Sequence, residues 1–491
     1  MDMKGMQSGY SRRSFLRTTA SAGLGLAGIS SHILGANDVI RVAVIGLGNK
    51  GSSHVAQFSQ LPGVRLAALC DVDPQRLEKN KAKLAGDASA VFSTLDPRHI
   101  LERKDVDAVV IATPNHWHAL LAVWACQAGK DVYVEKPVSH DIWEGRQIIL
   151  AAARYNRIVQ AGTQYRSDVG LREAADYIRQ GHLGKILWGH VVWYELRPGI
   201  GRKDPYWPEG LDYDMYCGPA PLEPLTRPKL HYDWHWFWST GDGDLANSGI
   251  HALDVCRFLA GIEGLPPRVL SLGGRFGVED SAQTPNTQLT LLDYQPAPIL
   301  VENRNLPTEK GRDAMDQQRG IREGVILQCE HGYFAGLRGG GGVYDNERKR
   351  LKQFIGDGGS QHAANFIAAV RSREDTDLRA PIAEGHISSA ACHLGNISFR
   401  LGTAMLPAAA KDALGGLKLA GEIVDRLEQH LHANGVELHQ VPMRLGRWLT
   451  IDRQNDEISA ADGPGADQAL QIGRALSRGN HRPPFVLTEK A

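Results

Sequence analysis

The stretch VIRVAVIGLGNKG, residues 39–51, decides the fold of this chain. Val39, Ile40, Val42, Val44 and Ile45 make an apolar, largely β-branched run, and Gly46-Leu47-Gly48-Asn49-Lys50-Gly51 follows at once. A helix-compatible segment, SSHVAQFSQL, comes next. G-x-G-x-x-G between a strand and a helix is the setting a dinucleotide-binding turn requires. Gly46 permits the tight turn, and Gly48 lets the backbone approach a pyrophosphate with no Cβ in the way. Gly51 lets the helix pack close to the strand, so free N–H groups at its start face the phosphate charge. Leu47, Asn49 and Lys50 belong to the same turn and are expected to contact the cofactor with the glycines. Twenty residues past Gly51, VRLAALC ends at Asp71, placed to bond the adenine ribose 2′-hydroxyl. Asp73 adds a neighbouring negative charge, and with no arginine read as a partner to a 2′-phosphate, NAD is expected over NADP.

The 491 residues suffice for two or three domains with a sizeable core. Lys+Arg and Asp+Glu both total 55, so charge gives no argument for nucleic acid or a membrane surface as partner. Six scattered cysteines without a C-x-x-C pair read as core residues, and no metal site is expected. Residues 1–36 read as a twin-arginine signal. Ser11-Arg12-Arg13-Ser14-Phe15-Leu16-Arg17 precedes a small-residue apolar stretch running to about Ile33, with cleavage near Ala36. The expected location is periplasmic or otherwise exported, the translocase being a partner during export, with no membrane span after cleavage. Substrates of that route cross folded. A dinucleotide loaded beforehand must then be held tightly and returned to its starting redox state in each cycle.

Strand-like and helix-like segments alternate over residues 37–160, which predicts a parallel sheet covered on both faces. Ligands in such sheets bind beyond the carboxyl ends of the strands. The glycine turn, Asp71, the run Thr113-Pro114-Asn115-His116-Trp117-His118 and Glu135-Lys136-Pro137 all fall at such ends. Thr113, Pro114, Asn115, His118, Glu135 and Lys136 are therefore candidate cofactor contacts. Pro137 restricts Lys136 to extended geometry, and an ammonium fixed there can polarise a carbonyl or hold an alkoxide during hydride transfer.

Taken in order, Gly46–Gly51, ATPNHWH and Glu135-Lys136-Pro137 resemble the Gfo/Idh/MocA family, the relatives of glucose–fructose oxidoreductase and inositol dehydrogenase, over roughly residues 38–405. The resemblance implies a Rossmann domain followed by an α/β domain with a large, open, mostly antiparallel sheet that often forms a homo-oligomer interface. It also implies that Lys136 lies near the nicotinamide and the reacting hydroxyl. Gln164 then borders the cofactor, and Tyr165 and Arg166 border the substrate. Family members commonly carry Asp-x-x-x-His in the later helix. His251 matches the His as an acid/base, but the Asp position is Asn247, which cannot carry charge and can only orient a hydroxyl. Asp242 and Asp244 stand near enough in sequence to supply the missing carboxylate.

After residue 160 the pattern becomes that of a second domain, 161–405. ILWGHVVWYEL, RFGVED, NTQLTLLDY, PILVEN and GVILQCEHGYFAG are its strand candidates. An insertion between them concentrates Trp207, Tyr213, Tyr216, Tyr232, Trp234, Trp236 and Trp238. Aromatic faces suit the C–H faces of sugars, and Trp236 is placed among the substrate contacts. HAANFIAAVRSRED and residues 382–402 read as helices returning to the first domain, and residues 406–491 as an extension. The expected function is NAD(P)-dependent hydride transfer at a sugar, cyclitol or glycoside hydroxyl, with internally recycled cofactor. Alternatives are a glycosidase working by transient oxidation and elimination, as in the NAD-dependent α-N-acetylgalactosaminidases of this fold, and a non-catalytic sugar or nucleotide sensor.

Overall fold

The computed structural model describes residues 39–84 and 90–487, so the export signal read at residues 1–36 lies outside the described residues. The first sheet is built by β1 (Ile40–Ile45), α1 (Asn49–Ser59), β2 (Val64–Cys70), α2 (Pro74–Lys81), β3 (Phe92–Thr94), α3 (Arg98–Leu101), β4 (Ala108–Ile111), α4 (His118–Gln127), β5 (Asp131–Val134), α5 (Ile142–Arg154) and β6 (Val159–Ala161). Its six strands are parallel, in the order β3-β2-β1-β4-β5-β6. The central strands are apolar end to end because both faces are covered. Val42, Val44, Val55 and Phe58 pack one face, while Ile45, Val109, Leu120, Leu121 and Ile148 pack the other. Strand order reverses between β1 and β4, which opens a crevice between the turns after Ile45 and Ile111.

The second sheet has twelve strands. After α6 (Val169–Arg179) come β7 (Ile186–Tyr194), the short α7 (Tyr213–Cys217) and α8 (Ile250–Ala260). Seven strands follow: β8 (Arg268–Gly274), β9 (Thr287–Leu292), β10 (Ile299–Arg304), β11 (Glu323–Cys329), β12 (Gly332–Leu337), β13 (Gly340–Tyr344) and β14 (Arg350–Ile355). All pairings in this sheet are antiparallel except β10 with β7. RFGVED, expected as a strand, is a loop; the strand is the run before it, β8. Helix α9 (His362–Ser372) returns to the first sheet, where Phe366 and Ile367 join the core beside Phe58. Helix α10 (Ile382–Arg400) packs under the second sheet with α6 and α8.

The expected boundary at residue 405 is not an edge of the sheet. β15 (Thr403–Met405) ends at it, and beyond it come α11 (Pro407–Ala413), α12 (Lys418–Ala433), β16 (Met443–Leu445), β17 (Leu449–Asp452), β18 (Glu457–Ala461) and α13 (Ala466–Arg478). Strands β16 and β17 both pair with β8, and Ile423, Val424 and Leu427 of α12 cover the face formed by β8, β9 and β10. The segment after α13 then crosses to the first domain. His481 pairs with Glu144 at 2.9 Å, Arg482 with Asp214 at 2.7 Å, and buried Phe485 meets Trp117 edge-on at 5.4 Å between centroids. All six cysteines are buried and unpaired. Among the described residues no helix is long and apolar enough to cross a membrane.

Candidate active site

The glycine turn sits where β1 feeds α1. Gly46 has φ +86°, a conformation L side chains rarely adopt, and a Cβ there meets the Ala112 backbone at 2.7 Å. A Cβ on Gly51 falls 1.8 Å from the Gly46 carbonyl oxygen. Gly51 therefore shapes the turn by touching protein, whereas Gly46, Gly48, Asn49 and Lys50 line a cavity of about 590 Å³. The Leu47 side chain is in the core, and its N–H donates to Asp71 Oδ2 at 2.7 Å. Asp71 Oδ1 accepts from Asp73 N–H at 2.9 Å. Burial pushes the Asp71 carboxyl up, and these two N–H donors pull it partly back.

Asp73 caps α2 through its side chain and meets His231 at 2.8 Å, so it stands in the wall. Sequence reading passed over Arg76, which lines the cavity beside Gly48 and whose Nε lies 3.9 Å from Asp73. Cofactor choice thus rests on Asp71 opposing a cation already in place. Asp71→Ser is expected to weaken NAD at least tenfold and narrow its advantage over NADP, because one of the two acids that repel a 2′-phosphate is lost while Arg76 stays. Fluorescence titration with both dinucleotides checks this, and an unchanged NAD affinity removes Asp71 from recognition.

Lys136 and His251 line the same cavity. The Lys136 ammonium donates to the Asn247 backbone carbonyl at 2.6 Å, with the Asn247 side-chain oxygen at 3.4 Å. Asn247 lies in a π-turn, Leu245–Gly249, that leads into α8, a widened turn of the kind that re-aims backbone groups at sites. Burial lowers Lys136 to about 8, against the upward pull of Glu135. Glu135 is itself buried, 2.8 Å from His54 Nε2 and 3.4 Å from Lys50 Nζ; burial opposes its charge, but the Lys50 charge and the His54 hydrogen bond hold it well below the usual carboxylate range. His251 packs between Tyr165, at 5.4 Å, and Trp193, at 6.3 Å. Burial, then the Lys136 charge, keeps its imidazole well below its ordinary value and therefore neutral.

Several expected contacts have other employment. Arg166 is buried outside the cavity lining, its Nε 3.0 and 2.8 Å from the two Asp254 oxygens and its Nη2 3.0 Å from Glu384. Trp236 is buried beneath Arg197, which lies 5.0 Å over its ring. His118 touches the cavity, but its ring nitrogens lie 2.6 and 2.8 Å from the Pro137 and Thr113 carbonyls, bracing one turn against the other. Asp242 and Asp244, the proposed replacement carboxylates, are both outside the lining. Asp244 pairs with Arg197 at 3.1 Å, and Asp242 accepts from Asn115 Nδ2 at 2.8 Å and faces His393 at 3.4 Å. Neither therefore takes the place of the missing Asp.

Of the aromatic insertion, Tyr216, Tyr232 and Trp234 reach the cavity, joined by His231 and by His235 stacked on Trp234 at 3.6 Å. Trp207, Tyr213 and Trp238 do not. Arg338, in the turn between β12 and β13, also lines it and pairs with Glu323 at 3.3 Å. No local pattern marks it. Among the described residues one trio, Asp141, Glu144 and His481, holds its ligand atoms within 4.8 Å of one another. Those atoms already bond among themselves. Burial pulls the His481 imidazole down, but its hydrogen bonding to Asp141 and Glu144, which accept, outweighs this and lifts it to about 10, so the trio is an ion pair.

The cavity residues fit a dinucleotide. The cradle is one that a Cβ at Gly46 or Gly51 destroys, and Thr113 Oγ1, Gln164 Oε1 and His251 Nδ1 are buried lining atoms with no hydrogen-bond partner. Parallel sheet, glycine cradle and the acid at Asp71 define the dinucleotide-binding α/β class of fold. Residues 40–163 match the Gfo/Idh/MocA oxidoreductase family's NAD-binding Rossmann fold, and residues 199–287 match its C-terminal alpha/beta domain. Over these two stretches the chain is similar to that family.

Among curated relatives, an alpha-N-acetylgalactosaminidase of Shewanella oneidensis is 34% identical over 168 residues, 33% of this chain and 36% of the relative. A glycosyl hydrolase family 109 protein of Shewanella sp. strain ANA-3 is 33% identical over 231 residues, 41% of this chain and 50% of the relative. The chain thus matches half or less of these relatives' length. The WlbA dehydrogenase of Bordetella pertussis, solved with NADH and UDP-GlcNAcA, superposes with a TM-score of 0.55 at 20% identity, covering 73% of this chain and 96% of that one. A levoglucosan dehydrogenase solved with NADH and levoglucosan gives 0.54 at 19%, covering 72% and 95%. At these identities the likeness establishes the fold.

Proposed function

We propose that the chain holds NAD in the glycine cradle and catalyses hydride transfer at a carbohydrate carbon bearing a hydroxyl, the cofactor being retained and returned to its starting state. The observation that carries this is Lys136 and the unpartnered His251 Nδ1 sharing one cavity with the glycine turn, under an aromatic wall. NAD, when bound, supplies the hydride acceptor and donor. Lys136, as free amine, takes the hydroxyl proton; as ammonium, it stabilises an alkoxide on the way back. Thr113, Gln164 and the cradle N–H groups orient and bind, while Tyr216, Tyr232 and Trp234 cover the sugar and exclude water. Export through the sequence read at Ser11–Arg17 belongs to the same proposal, since a retained cofactor needs no external pool.

A second reading, cleavage of a glycoside by transient oxidation, elimination, hydration and re-reduction, is favoured by two facts. The curated relatives carry glycosidase names, and the cavity holds two neutralisable bases where plain alcohol oxidation needs one. Neutral His251 would then take the ring C–H proton made acidic by the adjacent carbonyl. Incubation with an aryl glycoside separates the readings: aglycone release without accumulation of reduced cofactor supports the second, and reduced cofactor without aglycone the first. Neither signal, across a panel of sugars, overturns both.

The protonation of Lys136 sets a pH dependence. Its value is depressed to about 8, so the ammonium dominates below that pH and the amine above it. Single-turnover oxidation is expected to rise about tenfold per pH unit up to about 8 and then level. A flat profile through that range removes Lys136 as the proton acceptor.

A further inference from the structure

A second cavity, of about 410 Å³, is lined in part by Trp238, three residues past His235 of the first cavity. Trp238, Gln283, Arg275, Arg400 and Arg444 line it, and no carboxylate does. Arg275 is neutralised by Asp280, with Nε to Oδ1 at 2.7 Å. The other two arginines form no ion pair among the described residues, although the Asp242 charge acts on Arg400. Arg400 packs 5.1 Å over the Trp238 ring, and burial lowers its pKa. Arg444 donates to the Arg400 carbonyl at 3.2 Å and lies over Phe399 at 5.6 Å. Both thus gather at the carboxyl end of α10. A helix terminus offers roughly half an elementary charge against their two, which leaves most of the cationic charge uncompensated beside an apolar wall. The volume exceeds what a bare ion needs, and half-exposed Trp238 gives a sugar ring an apolar surface.

We propose that this cavity binds one acidic saccharide unit, its carboxylate or sulfate bonded by Arg400 and Arg444 and its ring set against Trp238, with Gln283 bonding a hydroxyl. The site is separate from the reaction cavity and does not rest on the function proposed for it. One segment contributes to both linings, Tyr232, Trp234 and His235 to the reaction cavity and Trp238 to this one.

The test is calorimetric titration of the dinucleotide-loaded full chain with glucuronate and with N-acetylglucosamine 6-sulfate, using N-acetylglucosamine and inorganic sulfate as controls. Expected are binding of both acidic sugars, none of the neutral one, and loss of about tenfold or more in affinity in Arg400→Gln and in Arg444→Gln. Binding should weaken with added salt, and dinucleotide affinity should not move. Arg444 is exposed, so its variant carries the test if Arg400→Gln fails to fold. Acidic sugars binding undiminished to Arg444→Gln, neutral sugar binding equally well, or inorganic sulfate alone binding each overturn the proposal, as does no binding at all.

Discussion

Lys136→Ala is expected to cut turnover by about a hundredfold or more while leaving the dinucleotide bound. The ammonium is buried, reaches the Asn247 carbonyl at 2.6 Å, and has its charge balanced by Glu135 one residue away. Removing it takes away the group that moves the hydroxyl proton, yet the cradle at Gly46, Gly48 and Asp71 is untouched. Lys136→Arg separates charge from proton transfer: its guanidinium stays cationic at all working pH, so it can stabilise an alkoxide but cannot accept a proton. Its rate should stay low and its profile should lose the rise toward pH 8. Stopped-flow absorbance of the reduced nicotinamide, together with cofactor content by mass spectrometry, reads both effects. Near-normal turnover in the alanine variant takes Lys136 out of the mechanism.

Gly51→Ala is expected to abolish dinucleotide binding and to lower stability by about 2–3 kcal/mol or more, an overpacking cost with backbone as the obstacle. The added methyl falls 1.8 Å from the Gly46 oxygen, so α1 must move off β1 or the turn must open. Either displaces the helix start that meets the phosphates. Gly48→Ala is the contrast, because its Cβ meets only the end of the Arg76 side chain at 3.0 Å, which can swing away. Thermal melting and dinucleotide titration of the two variants should therefore diverge in melting temperature. A Gly51→Ala protein with full affinity and unchanged melting contradicts the cradle described here.

The first sheet was legible because its signals are local. β1, turn and α1 form one contiguous pattern, and strands buried on both faces are apolar throughout. In the second sheet, β13 reads GGGVY and β14 is exposed at nearly every position, so neither shows the alternation that marks a half-buried strand. The site divides the same way. Lys136, Gln164 and His251 sit in recognisable runs, and the structure gathers them in one cavity. The family resemblance places Arg166 at the substrate, but its partners Asp254 and Glu384 lie 88 and 218 residues on. Arg338 comes to the cavity only through the pairing of β12 with β13. In the short turn Asp233–Trp236, Trp234 faces the cavity and Trp236 the core, a difference that two tryptophans two positions apart do not advertise.

The contact that steadies Lys136 comes from main chain, since the Asn247 carbonyl is nearer than the Asn247 amide. A peptide oxygen is present whatever amino acid is encoded, so the amine keeps its anchor through any exchange at codon 247 that preserves the widened turn. Sequence drift there can retune the charge around a substrate while the reacting nitrogen stays moored.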